Sequence, residues 1–117
     1  MSETSADYVR DMLRELDDIA VFTTDGESAF LADLKTQKAV IRSYEVIGEI
    51  AKRLPAELRD AHPNVSWRRL INFRDFLAHN YDEIALRFVW EAVEDGPNLR
   101  IALEALLAEL DDAETTE

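Results

Sequence analysis

The stretch 40-VIRSYEVIGEIAKRL-54 decides the fold of this chain. Apolar side chains recur in it at steps of three and four, the spacing that places residues on one face of an α-helix. They are Val40, Tyr44, Ile47, Ala51 and Leu54. Gly48 lies inside this predicted helix, where no turn needs it. A glycine there favours the close approach of a second helix over ligand binding.

The same spacing continues on both sides of this helix. A first helix is predicted over 6–22 and a short segment over 28–34, and Pro55 ends the central helix before a turn through Asp60. Ser66 is a good N-cap for a helix that ends near His79. Further helices are predicted over 84–95 and, after Gly96 and Pro97, along the seam of Leu99, Leu103, Leu106 and Leu110. We therefore predict an all-α fold, an antiparallel bundle of four to five helices. It forms one domain over 1–110, followed by an acidic, frayed tail over 111–117.

Composition narrows the class of protein. The chain has 117 residues, of which 47% are hydrophobic, which suits a single globular domain. It has no cysteine, so disulfides and thiolate metal sites are excluded and a reducing compartment fits best. Its amino terminus has neither the basic nor the apolar region of a signal peptide, and no apolar run would span a bilayer. We expect a soluble, cytoplasmic protein that does not bind membranes.

The charge is strongly negative but unevenly distributed. The net charge is −12, which argues against nonspecific binding to nucleic acid. Residues 35–81, however, hold 9 basic and 5 acidic side chains, whereas 1–34 and 82–117 are acidic. The acidic ends are most simply solvated helix faces. A cationic segment in the middle remains available for a phosphate-bearing partner.

That segment ends in the stretch 74-RDFLAHNY-81, which concentrates the reactive side chains. Arg74 offers a planar fork of donors suited to phosphate, and His79 exchanges protons near neutral pH. On one ideal helix these two residues point about 140° apart. Either Arg74 swings and the helix unwinds at His79, or two copies of the chain face each other. Asp75 lies four residues before His79, so its carboxylate either orients the imidazole or forms an ordinary surface pair with it.

These residues read as R-x4-H-x-Y, and in this the chain resembles the HepT-like toxins, a branch of the HEPN ribonucleases. The resemblance extends along the chain, through 35–42, 46–55, 66–71 and 84–93, and covers roughly 6–110. Asp75 stands where asparagine is frequent in the family, and Asn80 replaces the usual glycine. Neither change removes a catalytic group.

The resemblance implies a homodimer that brings two Arg74–His79 pairs into one cleft. It implies a metal-independent endoribonuclease without cofactors, the toxin of a type VII-like toxin–antitoxin module. Its partner would be an MntA-type minimal nucleotidyltransferase that transfers AMP to Tyr81 and silences the enzyme. Tyr81 could equally be a half-buried packing residue.

The remaining candidates are weaker. Arg68 and Arg69 share a helix with the motif and could line an RNA path, although each could also be an ordinary exposed charge. His62 precedes Pro63, and without a second ligand at metal-binding spacing it reads as a solvated loop residue rather than part of a metal site. Besides the ribonuclease, two other functions stay open: a non-catalytic subunit that binds a nucleotide or docks a nucleotidyltransferase, and a purely structural helical dimer.

Overall fold

The computed structural model describes residues 3–79 and 83–115, without the side chains of 83, 84, 114 and 115. Within these ranges every regular element is a helix, which confirms the all-α prediction. Five of the helices are long and two have only six residues. The elements are α1 (Ser5–Phe22), α2 (Glu27–Ala32), α3 (Leu34–Arg53), α4 (Ala56–Ala61), α5 (Trp67–His79), α6 (Glu83–Glu94) and α7 (Gly96–Thr115).

The first helix begins at a capping box. The Thr4 hydroxyl accepts a hydrogen bond from the Asp7 amide at 3.1 Å, and the Asp7 carboxylate accepts one from the Thr4 amide at 3.1 Å. This pair satisfies two amides that the start of a helix leaves without partners. The bonds from Thr4 also hold the pKa of Asp7 below its usual value. The apolar stripe of α1 is buried as its spacing predicts, through Val9, Met12, Leu16 and Ile19.

The central helix α3 packs against both α1 and α5. It begins at Asp33, whose carboxylate accepts a hydrogen bond from the Lys35 amide at 3.2 Å. The side chain of Gln37 reaches back to the carbonyls of Phe30 and Leu31, which ties α3 to α2. The stripe predicted for this helix is buried in the core: Val40, Tyr44, Ile47, Ala51 and Leu54. The stretch singled out in the sequence is therefore the centre of the bundle.

The prediction for His62, in the turn between α4 and α5, was wrong. His62 is not a solvated loop residue, because its side chain is only 25% exposed and both ring nitrogens have partners. Nδ1 lies 2.8 Å from the Leu58 carbonyl oxygen, and Nε2 lies 2.7 Å from Oε2 of Glu109 on α7. The carbonyl of His62 also accepts a hydrogen bond from the Trp67 indole at 3.0 Å. Sequence could not show this because Glu109 is 47 residues away.

The last helix runs antiparallel to the first. Two ion pairs fix this direction: Arg10 with Asp111 at 2.6 Å, and Arg100 with Asp17. The helix continues through Thr115, five residues past the end expected at position 110. The predicted interruption near Gly96 and Pro97 is confirmed: these are the first two residues of α7, and Asp95 alone separates it from α6. None of the described helices is both long and apolar enough to cross a membrane.

Candidate nuclease site

Arg74 is positioned by a close contact between two helices. A Cβ atom placed on Gly48 of α3 would overlap Cβ of Arg74 on α5, and it would lie 2.9 Å from the carbonyl oxygen of Leu70. Only glycine lets the two backbones approach this closely. The prediction that Gly48 allows a helix to approach is confirmed, and the residue it receives is the arginine of the motif.

Two carboxylates hold the Arg74 guanidinium in place. Nη2 lies 3.4 Å from Oε1 of Glu49 on α3, and Nη1 lies 3.1 Å from Oδ1 of Asp75. These hydrogen bonds to Asp75 and Glu49 raise the pKa of Arg74. Arg42 approaches the same Glu49 oxygen at 3.9 Å, so two arginines share one carboxylate. The guanidinium is preorganised, but its charge is largely balanced within the chain.

His79 lies at the carboxyl end of α5 and is exposed. Its imidazole forms no hydrogen bond or ion pair with the residues that the structure describes. The helix is intact from Trp67 to His79, so it does not unwind before the histidine. Arg74 and His79 are therefore about 140° apart around the helix and about 7.5 Å apart along its axis. A single subunit does not place them on one face.

The other predicted site residues are distributed around α5. Asp75 is exposed, and its carboxylate contacts Arg74 instead of His79. Arg68 and Arg69 are both exposed. Arg68 precedes His79 by eleven residues, which places it on nearly the same side of the helix, about 20° away. Tyr81, the predicted site of AMP transfer, lies outside the described residues.

A cavity of about 670 Å³ opens beside the motif helix, between α5, α6 and the start of α7. Its walls are aromatic. Phe76 and Phe88 meet edge to face with ring centroids 5.8 Å apart, and deeper inside Tyr44 and Phe73 do the same at 5.4 Å. Polar side chains also line it, among them Arg69, Asn72, Glu91 and Asp95. The sequence did not indicate this cavity, because its lining comes from four separate segments of the chain.

Sequence reasoning also missed Glu49, which orients Arg74. The one available signal was its position seven residues after Arg42, which places both residues on the same face of α3. Among the described residues, no group of three or more His, Asp or Glu side chains is arranged to hold a metal ion.

The protein is thus a small all-α bundle in which α5 carries an arginine and a histidine in R-x4-H spacing. The chain belongs to the family described as Ribonuclease HepT-like, whose model matches residues 12–106. It is 38% identical over 108 residues to a probable ribonuclease HepT of Thermococcus cleftensis, covering 91% of this chain and 98% of that protein. It is 44% identical over 87 residues to a putative RNase of Methanocaldococcus jannaschii, covering 74% of this chain and 72% of that protein. A second putative RNase of that organism is 32% identical over 107 residues, covering 90% of this chain and 92% of that protein. No solved structure matches the chain significantly.

Proposed function

We propose that this protein is a metal-independent endoribonuclease whose active site forms between two copies of the chain. The observation that carries the proposal is that α5 holds both a preorganised Arg74 guanidinium and an exposed His79, in the family's R-x4-H spacing. The family and the names of the relatives support ribonuclease activity.

The chemistry uses the nucleophile that RNA itself carries. His79 takes the proton from a ribose 2′-OH, the 2′-oxygen attacks the adjacent phosphorus, and the bond from phosphorus to the 5′-oxygen breaks. A second imidazole protonates the leaving 5′-oxygen. Arg74 stabilises the negative charge that develops on the phosphoryl oxygens, where a fixed cation is most effective. The products are a 2′,3′-cyclic phosphate and a 5′-hydroxyl.

A dimer supplies what one subunit lacks. The intact helix keeps Arg74 and His79 on different faces, so one chain presents either residue but not both to a single phosphate. Two copies of α5 related by a two-fold axis would bring the His79 of one subunit towards the Arg74 of the other. The same arrangement provides the second imidazole that acts as the acid.

The test is cleavage of a short fluorescent RNA by pure protein in EDTA, with analysis of both product ends. We expect cyclic phosphate ends, and we expect His79→Ala and Arg74→Ala each to lose cleavage while keeping the helical circular dichroism of the wild type. Full activity of His79→Ala, or loss of wild-type activity in EDTA, would contradict the mechanism.

We further propose that the protein is the toxin of a two-gene module and that an MntA-type nucleotidyltransferase silences it by transferring AMP to Tyr81. AMP at that position would add a negative phosphate and a bulky base near the basic motif. Intact mass of the protein purified with and without the adjacent gene product tests this. The mass should rise by one or more AMP units only with an active partner and only when Tyr81 is present. Modification and silencing of Tyr81→Phe would rule it out.

One observation favours a second candidate, a non-catalytic subunit that binds a nucleotide or docks the nucleotidyltransferase. Arg74 already has two carboxylate partners, so a phosphate must compete with Glu49 and Asp75 for it. Expression in cells separates the two functions. A ribonuclease arrests growth and His79→Ala relieves the arrest, whereas a docking subunit does neither.

A further inference from the structure

The cavity between α5, α6 and α7 has features that the catalytic scheme above does not use. Its volume, about 670 Å³, is within the range of roughly 300–1,000 Å³ that is typical of small-molecule sites. Phe88 at its edge is 48% exposed, although aromatic rings of this size are usually more buried. Its Phe76 partner is on α5, the helix that carries the motif.

The deep end of the cavity contains an unsatisfied polar group. Tyr44 is only 3% exposed, and its hydroxyl has no hydrogen-bond partner among the residues that the structure describes. Buried hydroxyl groups nearly always have one, so an exception indicates an absent partner. The cavity beside Tyr44 is where such a partner could enter.

The polar lining selects a type of ligand. Glu91 and Asp95 contribute carboxylates, which only accept hydrogen bonds, and Asn72 contributes an amide that both donates and accepts. Flat aromatic walls combined with carboxylate acceptors suit a planar heterocycle that carries an amino group. Arg69 is a cation among the described lining residues, and its exposed side chain could bind a neighbouring phosphate of the same strand.

The position of the cavity links it to RNA. Phe76 precedes His79 by three residues and Asn72 precedes it by seven. Both therefore lie on the side of α5 that His79 occupies. The axial distance from Phe76 to His79 is about 4.5 Å. A nucleotide whose base occupied the cavity would therefore have its phosphate near His79.

We infer that this cavity binds one base of the RNA substrate, stacked against Phe88 and Phe76, and that it prefers bases that carry an amino group, such as adenine and cytosine, to uracil. This inference rests on the proposed function for its substrate, but base binding itself does not require catalysis. Stacking on an aromatic side chain is sequence-tolerant, so the carboxylates supply the preference.

Nucleosides are the appropriate probes because they lack the phosphate and share one ribose, so that differences between them report on the base. Adenosine, inosine, cytidine and uridine are titrated into ¹⁵N-labelled His79→Ala protein, which keeps the cavity but is catalytically inactive under the proposal. We expect shifts at Phe76, Phe88 and Glu91, with cytidine bound about fivefold tighter than uridine and adenosine tighter than inosine, because a carboxylate accepts from the amino group.

Matched variants locate the binding. Phe88→Leu keeps the site apolar but removes the stacking ring, and it should weaken adenosine binding about tenfold or more. Phe22→Leu is its control, since Phe22 is similarly exposed at 41% and does not line the cavity. Glu91→Gln should reduce the preference for cytidine over uridine, whereas Glu94→Gln on the same helix should not.

The outcomes separate this inference from the proposed function. If RNA is cleaved but no nucleoside shifts the cavity residues, the base site is wrong and the ribonuclease stands. If nucleosides bind as expected but RNA is not cleaved, the base site stands and the ribonuclease is wrong. If Phe88→Leu converts a dimer into monomers in sedimentation while Phe22→Leu does not, the cavity is part of the interface between copies and the inference is overturned.

Discussion

Gly48 and Arg74 are in direct contact across the crossing of α3 and α5, with the space for a glycine Cβ occupied by the arginine side chain. The next residue on α3, Glu49, is an ion-pair partner of the same arginine. Two consecutive residues of α3 therefore fix the position of the Arg74 side chain. Gly48 leaves room for it because glycine has no side chain, and Glu49 holds it through its negative charge. This relationship makes the site dependent on a helix that carries none of the motif.

Replacing Gly48 with alanine should destabilise the protein, because the added methyl group would overlap Arg74 and approach the Leu70 carbonyl. Crowding of this kind in a packed interior costs about 1–3 kcal/mol, which outweighs the gain of up to about 1 kcal/mol in helix propensity. Urea unfolding measures the difference. Gly96→Ala is the control, since no described atom lies within 4 Å of its new Cβ. Equal stability of Gly48→Ala and wild type would show that the helices separate without strain.

Replacing Glu49 with glutamine should lower kcat for RNA cleavage about 10- to 100-fold while changing KM much less. The glutamine removes the charge that holds Arg74, and small displacements of a catalytic group have effects of this size. Glu45→Gln is the matched control: it makes the same change in net charge one turn earlier on α3. If both variants lose activity equally, the effect is one of overall charge rather than of Arg74 position.

Replacing the two histidines should have opposite effects: one substitution lowers stability and the other abolishes activity. His62→Ala removes a ring whose two nitrogens contact Leu58 and Glu109, which should cost about 1–3 kcal/mol of unfolding free energy. RNA cleavage by the folded variant should be unchanged. His79→Ala should behave in the opposite way, with wild-type stability and no cleavage. Paired urea unfolding and cleavage assays check both, and an inactive but fully stable His62→Ala would contradict this assignment.

Tyr44→Phe should stabilise the free protein slightly, by about 1 kcal/mol, because it removes a buried hydroxyl without a partner in the described part of the chain. It should also change the response to alkali. Burial, with a smaller effect from the Asp95 carboxylate, raises the pKa of Tyr44 above its usual 10.0, so the folded state keeps a proton that the unfolded state loses. The contribution of this proton to the free energy of unfolding is complete below about pH 10. Above that pH it falls by about 1.4 kcal/mol per pH unit. The wild type should therefore lose more stability than Tyr44→Phe between pH 10 and 11. Tyr8→Phe, which removes a tyrosine outside the cavity, is the control.

Cleavage should depend on dimer concentration. If each active site needs two chains, the rate per subunit falls on dilution in parallel with the fraction of dimer, so the total rate approaches the square of protein concentration. Sedimentation and cleavage measured over the same dilution series test this. A constant rate per subunit in a sample shown to be monomeric would exclude a shared site.

Much of the fold could be read from hydrophobic spacing. The stripes of α1 and α3 are buried as predicted, because a helix that places apolar residues every three or four positions has only one way to remove them from water. The errors fall where distant parts of the chain meet. His62 contacts Glu109 on α7. The last helix continues beyond position 110, and there Asp111 forms an ion pair with Arg10. Neither contact has a local signal.

The sequence by itself determined the helices, the core stripes and the motif residues Arg74 and His79, because these depend on periodicity and on side-chain chemistry along one segment. Only the tertiary structure decided what surrounds them: Glu49 beside Arg74, the aromatic cavity beside α5, and an uninterrupted helix that keeps Arg74 and His79 on different faces. These features arise from packing between segments far apart in the chain, and local patterns do not contain the crossing geometry of two helices.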